Sequence, residues 1–149
     1  MVYISGASGF LGSKLLNVLE KNSGEIIPIP HNYLQSIKLR PFDNFYFCST
    51  YGNLASHTDE KQIIQANITD LVCILNQVNW ENIHSFVFIS TSSVKRKYQT
   101  FYSRTKKAAE EILLAYMEKY NAPICIIRPF SITGVSEQPE HLIPTLIKS

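Results

Sequence analysis

The first twelve residues restrict the fold more than any other part of the chain. Val2 to Ser5 is a short apolar run. Gly6-Ala7-Ser8-Gly9-Phe10-Leu11-Gly12 follows at once, and from Phe10 to Asn22 the apolar residues Leu11, Leu15, Val18 and Leu19 recur at helical spacing. A strand, a glycine loop and a helix in direct succession open a βαβ unit. Glycines there let the chain turn tightly, let its backbone approach a pyrophosphate and let the helix pack against the strand. The helix start adds free N–H groups and the positive end of its dipole. Gly6, Ser8, Gly9, Phe10, Leu11 and Gly12 are therefore the candidate phosphate-binding residues. Glycines serving only a tight turn are the plainer reading, which the strand-to-helix context disfavours.

The rest of the chain continues the alternation. Glu25 to Ile29, Phe45 to Cys48, Ser85 to Ile89 and Pro123 to Ile127 read as strands. Glu60 to Val78 and Tyr102 to Tyr120 read as helices, and a short helix is expected in the last nine residues. The fold class is α/β: a Rossmann-type, doubly wound parallel sheet in three layers, forming one dinucleotide-binding domain over residues 1–149. Residues 31–42 are too few for the usual helix, strand and helix, so one strand is expected to be reduced or missing.

Composition excludes several classes. A net charge of +2 gives no footprint for nucleic acid. No stretch reaches the roughly 18 apolar residues of a membrane span. The first residues turn glycine-rich before a signal core could form, so a cytoplasmic protein is expected. Cys48, Cys73 and Cys125 are widely spaced and suggest buried free thiols, with no disulfide framework and no metal site.

The GxxGxxG spacing within YISGASGFLGSKL resembles the opening of the extended short-chain dehydrogenase/reductase family, in its nucleotide-sugar epimerase/dehydratase branch. Other features agree in order along nearly the whole chain: Asn67 in a helix, FVFISTSSV, the YxxxK pattern Tyr102-Ser103-Arg104-Thr105-Lys106, and ICIIRPFSITG. The resemblance implies NAD or NADP as cofactor and a nucleotide sugar as substrate. It also implies catalytic roles for Tyr102, Lys106, Ser92 and Asn67, with Lys106 holding the nicotinamide ribose as well.

Tyr102 and Lys106, four apart on a helix, share a face. An ammonium beside a phenol stabilises the phenolate and lowers its pKa, which suits general acid/base work. Three plainer readings stay open: a surface Tyr/Lys pair, a catalytic hydroxyl at Ser90, Thr91 or Ser93 instead of Ser92, and a solvent-facing Asn67.

The chain departs from the family in places. Cofactor choice is read about 20 residues beyond the glycines, by an acid for NAD or an arginine for NADP. Here Ile29-Pro30-His31-Asn32 holds neither, which leaves His31 as the cofactor contact and predicts weak discrimination. Arg40 and Asp43 are the nearest residues of either kind to consider. Ser92 and Tyr102 lie only ten apart, with a basic run Lys95-Arg96-Lys97 that reads as a solvated loop or as a contact for a substrate diphosphate. Residues 136–149 would only begin the family's substrate-binding portion; the rest is expected to be absent from the gene, supplied by a separate polypeptide, or lost in a reduced protein. The function expected is an NAD(P)-dependent reductase or epimerase of a nucleotide-activated sugar. A dehydratase is disfavoured because Ser93-Val94 follow Ser92 where that subgroup has Asp-Glu. The alternative is a non-catalytic NAD(P)-binding protein or a remnant of such an enzyme. Val72, Leu75, Leu114 and Met117 exceed what one sheet-facing stripe needs, and suggest a homodimer through helices 60–78 and 101–120.

Overall fold

Runs of four or five apolar residues are long enough for buried strands and too short for helices, and five of them form the sheet. In the computed structural model, which describes residues 1–22 and 24–148, these are β1 (Val2–Ser5), β2 (Ile26–Ile29), β3 (Asn44–Phe47), β4 (Ser85–Ile89) and β5 (Ile124–Ile127). They pair in parallel, in the order β2-β1-β3-β4-β5. The Rossmann-type architecture is thus as expected, with strand ends shifted by one residue. Between β2 and β3 the chain makes only one turn of 3-10 helix, His31–Tyr33, and then loops. Among the described residues no strand pairs beyond β2, so the strand expected to be reduced or missing is missing. Pro28 lies in β2 and has no N–H to offer a further strand, so this sheet edge is blunted.

The pleat divides the side chains between two faces. Phe45 and Phe47 of β3 stand in register with Phe86 and Phe88 of β4. Their rings pack 5.1–6.5 Å apart, each such pair worth about 0.5–1.5 kcal/mol beyond area burial. This face is covered by α2 (Glu60–Ile64), α3 (Asp70–Leu75) and α4 (Phe101–Tyr120), through Leu71, Ile74, Ala109 and Leu113 among others. A π-helical turn, Gln65–Thr69, joins α2 to α3. The single helix expected over Glu60–Val78 is therefore broken, and α3 ends at Leu75. Thr100 caps α4 by accepting from the Ser103 N–H, and Asn121 ends it in the left-handed region at φ 49°.

The opposite face carries α1 (Phe10–Asn22), packed over Val2 and Ile4 through Leu15, Leu16 and Leu19. It does not reach across β4 and β5. Leu11, Leu15, Val87, Ile89, Ile127 and Ile132 line an apolar trough of about 260 Å³ there. Parallel sheets are ordinarily covered on both faces. Cys125 lies on this uncovered stretch and is exposed, against the expectation of three buried thiols, while Cys48 and Cys73 are half-buried. A short α5 (Leu142–Lys148) closes the described chain. Among the described residues no helix is long and apolar enough to cross a membrane.

Candidate active site

From β1 the strand order runs one way to β2 and the other way to β3, β4 and β5. Ligands of such sheets sit beyond the strand C-termini at that reversal. A cleft of about 1080 Å³ opens there, lined by all three loop glycines and by Ser8, Phe10 and Leu11. The glycines do different jobs. Gly6 has φ +70°, and a Cβ on it would lie 2.6 Å from the Cys48 carbonyl carbon and the Ser49 nitrogen. A Cβ on Gly12 would lie 2.0 Å from the Gly6 carbonyl oxygen. Both are demanded by backbone packing. A Cβ on Gly9 meets only the Gly6 oxygen at 3.3 Å and otherwise enters the cleft. The space above Gly9 and the N-terminus of α1 fit the pyrophosphate of a dinucleotide.

A contrast follows. Gly12→Ala should lose at least about 2 kcal/mol of stability in urea unfolding, because backbone meets backbone. Gly9→Trp should fold and lose dinucleotide binding. Equal stability of Gly12→Ala and wild type would refute the packing half of this account.

Tyr102, Lys106 and Glu110 follow one another at four-residue intervals along α4 and so share its inner face. Tyr102 is half-buried and lines the cleft. Lys106 is wholly buried beneath it: Nζ donates to the Ile89 carbonyl at 2.6 Å and sits 4.0 Å from the Phe88 ring centre. Burial pushes its amine down to about 7, against smaller opposing effects of Cys48 and Glu110. The expected lowering of the Tyr102 phenol is not what the geometry gives. Burial pushes that pKa up, opposed by a hydrogen bond with the Thr50 side chain, and Lys106 spends its proton on Ile89 instead. Glu110, four residues beyond the YxxxK pattern, accepts from the Arg128 guanidinium at 2.9 and 2.8 Å and from the Ser90 hydroxyl. Burial alone would raise its carboxyl; the Arg128 and Ser90 bonds outweigh that and hold it low. This clamp fixes the exit of β5 against α4, just below the lysine.

Beyond β4, Thr91 and Ser93 line the cleft, with their hydroxyl oxygens 3.0 Å apart. Ser92 is not in the lining; its N–H donates to the Pro129 carbonyl at 3.0 Å. Of the hydroxyls that sequence alone could not order, Ser90, Thr91 and Ser93 line the cleft and Ser92 does not; the Ser90 hydroxyl is held by Glu110, which leaves Thr91 and Ser93. Asn67 is fully buried in the π-helical turn, not solvent-facing. Its Oδ1 accepts from the Thr50 hydroxyl and the Tyr51 N–H, and its Nδ2 donates to the Tyr51 carbonyl and the Thr105 hydroxyl. All four bonds go to protein, so Asn67 ties the β3 exit to α4 beside Tyr102.

His31 lines the cleft beyond β2. Arg40 does not approach it: its guanidinium pairs with Glu25, at the other end of β2. Asp43 likewise pairs with the N-terminal ammonium, away from the cleft. Of the basic run, Arg96 lines the cleft, and all three side chains are exposed. Among the described residues no cluster of His, Cys, Asp or Glu could hold a metal ion.

The sequence model of the NAD dependent epimerase/dehydratase family matches residues 45–149, more than half of the chain. The chain belongs to that family. A curated relative, the uncharacterized UDP-glucose epimerase YtcB of Bacillus subtilis (strain 168), is 26% identical over 193 aligned positions, covering 99% of this chain and 61% of its own length. The alignment is longer than this chain, so the relative carries segments with no counterpart here. UDP-N-acetylglucosamine 4-epimerase from Methanobrevibacter ruminantium M1, solved with UDP-N-acetylmuramic acid, matches with TM-score 0.86 and 17% identity over 99% of this chain and 61% of its own. UDP-glucuronic acid 4-epimerase from Bacillus cereus, solved with UDP-glucuronic acid and NAD, matches with TM-score 0.81 and 24% identity over 99% and 62%. These likenesses show the fold. This member of the epimerase/dehydratase family spans about three fifths of the length of the relatives it matches.

Proposed function

We propose that this family member binds NAD or NADP along the glycine loop and acts as a reductase or epimerase of a nucleotide-activated sugar. One observation carries the reading: Tyr102, Thr91 and Ser93 line the same cleft as the glycine loop. Bound nicotinamide would supply hydride exchange. The chain's own residues do the rest. Tyr102 exchanges a proton with the substrate oxygen: protonated, as its raised pKa favours, it donates when hydride reduces a carbonyl, and as phenolate it takes the hydroxyl proton when hydride passes to the nicotinamide. Thr91 and Ser93, rather than the expected Ser92, offer hydroxyls to orient that oxygen. Lys106 lies buried below Tyr102 with Nζ donating to the Ile89 carbonyl, and its remaining N–H groups are the ones left for a ribose contact. The non-catalytic alternative draws on the raised phenol. The test is incubation with NAD and UDP-glucose or UDP-glucuronic acid, reading nicotinamide absorbance and the sugar's proton NMR spectrum. New epimer or reduced nicotinamide supports turnover. Binding without either outcome favours the non-catalytic protein.

The same reading includes a cytoplasmic protein, whose reducing surroundings suit three free thiols, and a homodimer through α2, α3 and α4. The apolar surplus behind that dimer is smaller than it looks in the sequence. Leu75 is core, Met117 packs against the core and Val72 is half-buried; Leu114 stays 39% exposed. A dimer mass by light scattering is expected, and a monomer at every concentration rules it out.

A further inference from the structure

Asp70 is a carboxylate with nowhere obvious to go. It is 1% exposed at the start of α3. Its Oδ1 accepts from Gln35 Nε2 at 3.1 Å and Gln65 Nε2 at 2.6 Å. Among the described residues its Oδ2 has no hydrogen-bond partner, and it lies 3.4 Å from Nδ1 of His31. Burying an anion is costly without partners, and two glutamines hold only one of the two oxygens. The side chain of His31 is 63% exposed and lines the cleft just beyond β2, the position at which dinucleotide-binding domains meet the adenosine ribose. The acid that the sequence lacks at residues 29–32 is thus present in space, one side chain behind the cleft surface.

We propose that His31 reads the 2′ position of the adenosine ribose and that Asp70 is the positioning residue that sets which way it reads. This rests on the dinucleotide reading above. A carboxylate oxygen 3.4 Å from Nδ1 favours the proton on that nitrogen, because a carboxylate only accepts. Nε2 is then left with its lone pair on the exposed side of the ring. A lone pair there accepts the 2′-hydroxyl of NAD and has nothing to offer the 2′-phosphate of NADP. The result is a preference for NAD of about three- to tenfold, the size of one hydrogen bond, in place of the near-equal binding expected from residues 29–32 alone.

Asp70→Asn should reverse the reading. Gln35 and Gln65 both donate, so they keep the amide oxygen, and the amide NH₂ turns towards His31. Nδ1 must then accept, the proton moves to Nε2, and Nε2–H now faces the cleft as a donor for the 2′-phosphate. Two measurements test this on the whole chain at mildly alkaline pH. Histidine ¹⁵N NMR, with His31 assigned by its loss in His31→Ala, should show the Nδ1–H tautomer in the wild type and Nε2–H in Asp70→Asn. Calorimetric titration with NAD and NADP should show the NAD preference in the wild type, no preference in His31→Ala, and a shift of about tenfold towards NADP in Asp70→Asn. His31 is exposed, so His31→Ala decides the matter alone if Asp70→Asn does not fold. An unchanged NAD-to-NADP ratio in His31→Ala, with binding still lost in Gly9→Trp, overturns the inference and leaves the dinucleotide reading standing. Failure of the wild type to bind either nucleotide overturns both.

Discussion

Tyr102→Phe should lower kcat at least about a hundredfold on a nucleotide-sugar substrate while leaving dinucleotide affinity within about twofold. Phenylalanine keeps the ring, and with it the packing of a half-buried side chain that lines the cleft, but removes the hydroxyl. The neighbouring hydroxyls cannot substitute, since Thr91 and Ser93 can orient an oxygen but are far weaker acids than a phenol. Thr91→Ala is therefore expected to cost less than Tyr102→Phe. Ser92→Ala should be nearly silent, because the contact Ser92 makes with Pro129 uses its backbone N–H. Steady-state rates and calorimetry on the same preparations check the ordering. Equal rates for Tyr102→Phe and wild type would remove the enzyme reading.

Lys106→Met should flatten the pH dependence of stability. The lysine is wholly buried, and its amine is pushed down to about 7 by burial. Between pH 7 and the ordinary lysine value of 10.5 the unfolded chain holds a proton on this side chain that the folded chain does not. Burying the amine therefore costs nothing above the unfolded pKa, and the cost grows as pH falls towards 7. The wild type should thus gain stability as pH rises from neutral towards the lysine range, relative to Lys106→Met, with a slope of up to about 1.4 kcal/mol per pH unit. Methionine fills nearly the same volume without an amine to desolvate, though it leaves the Ile89 carbonyl without its donor. Urea unfolding of both proteins at several pH values reads the difference. Parallel curves would show that Lys106 keeps its proton when the chain folds.

The fold was legible because its signals are local. The strand, glycine loop and helix of residues 2–22 need no distant partner to be recognised, and β1, β4 and α1 have the bounds that periodicity gives. The missing strand could be read from a count of residues between β2 and β3. The site was legible only where a pattern names the residue, as with Tyr102. Thr91 was hidden among four consecutive hydroxyl residues, because those that line the cleft follow no regular period. The buried state of Lys106 was hidden too. Two residues four apart share a face whether that face is wet or dry, so the phenol's shift came out in the opposite direction. Glu110 carried a signal that was available, the third member of the four-residue spacing from Tyr102 and Lys106. Asp70 carried none, since it meets His31 from far along the chain only after a π-helical turn has set the start of α3.

Binding in the glycine cleft is the claim on which the rest depends, and calorimetric titration of NAD into the wild type and Gly9→Trp tests it most directly. The wild type should bind one NAD per chain, and Gly9→Trp, folded by its melting curve, should show no heat of binding, because the indole would fill the space above the loop. Unchanged affinity in Gly9→Trp would place the nucleotide elsewhere and contradict the account.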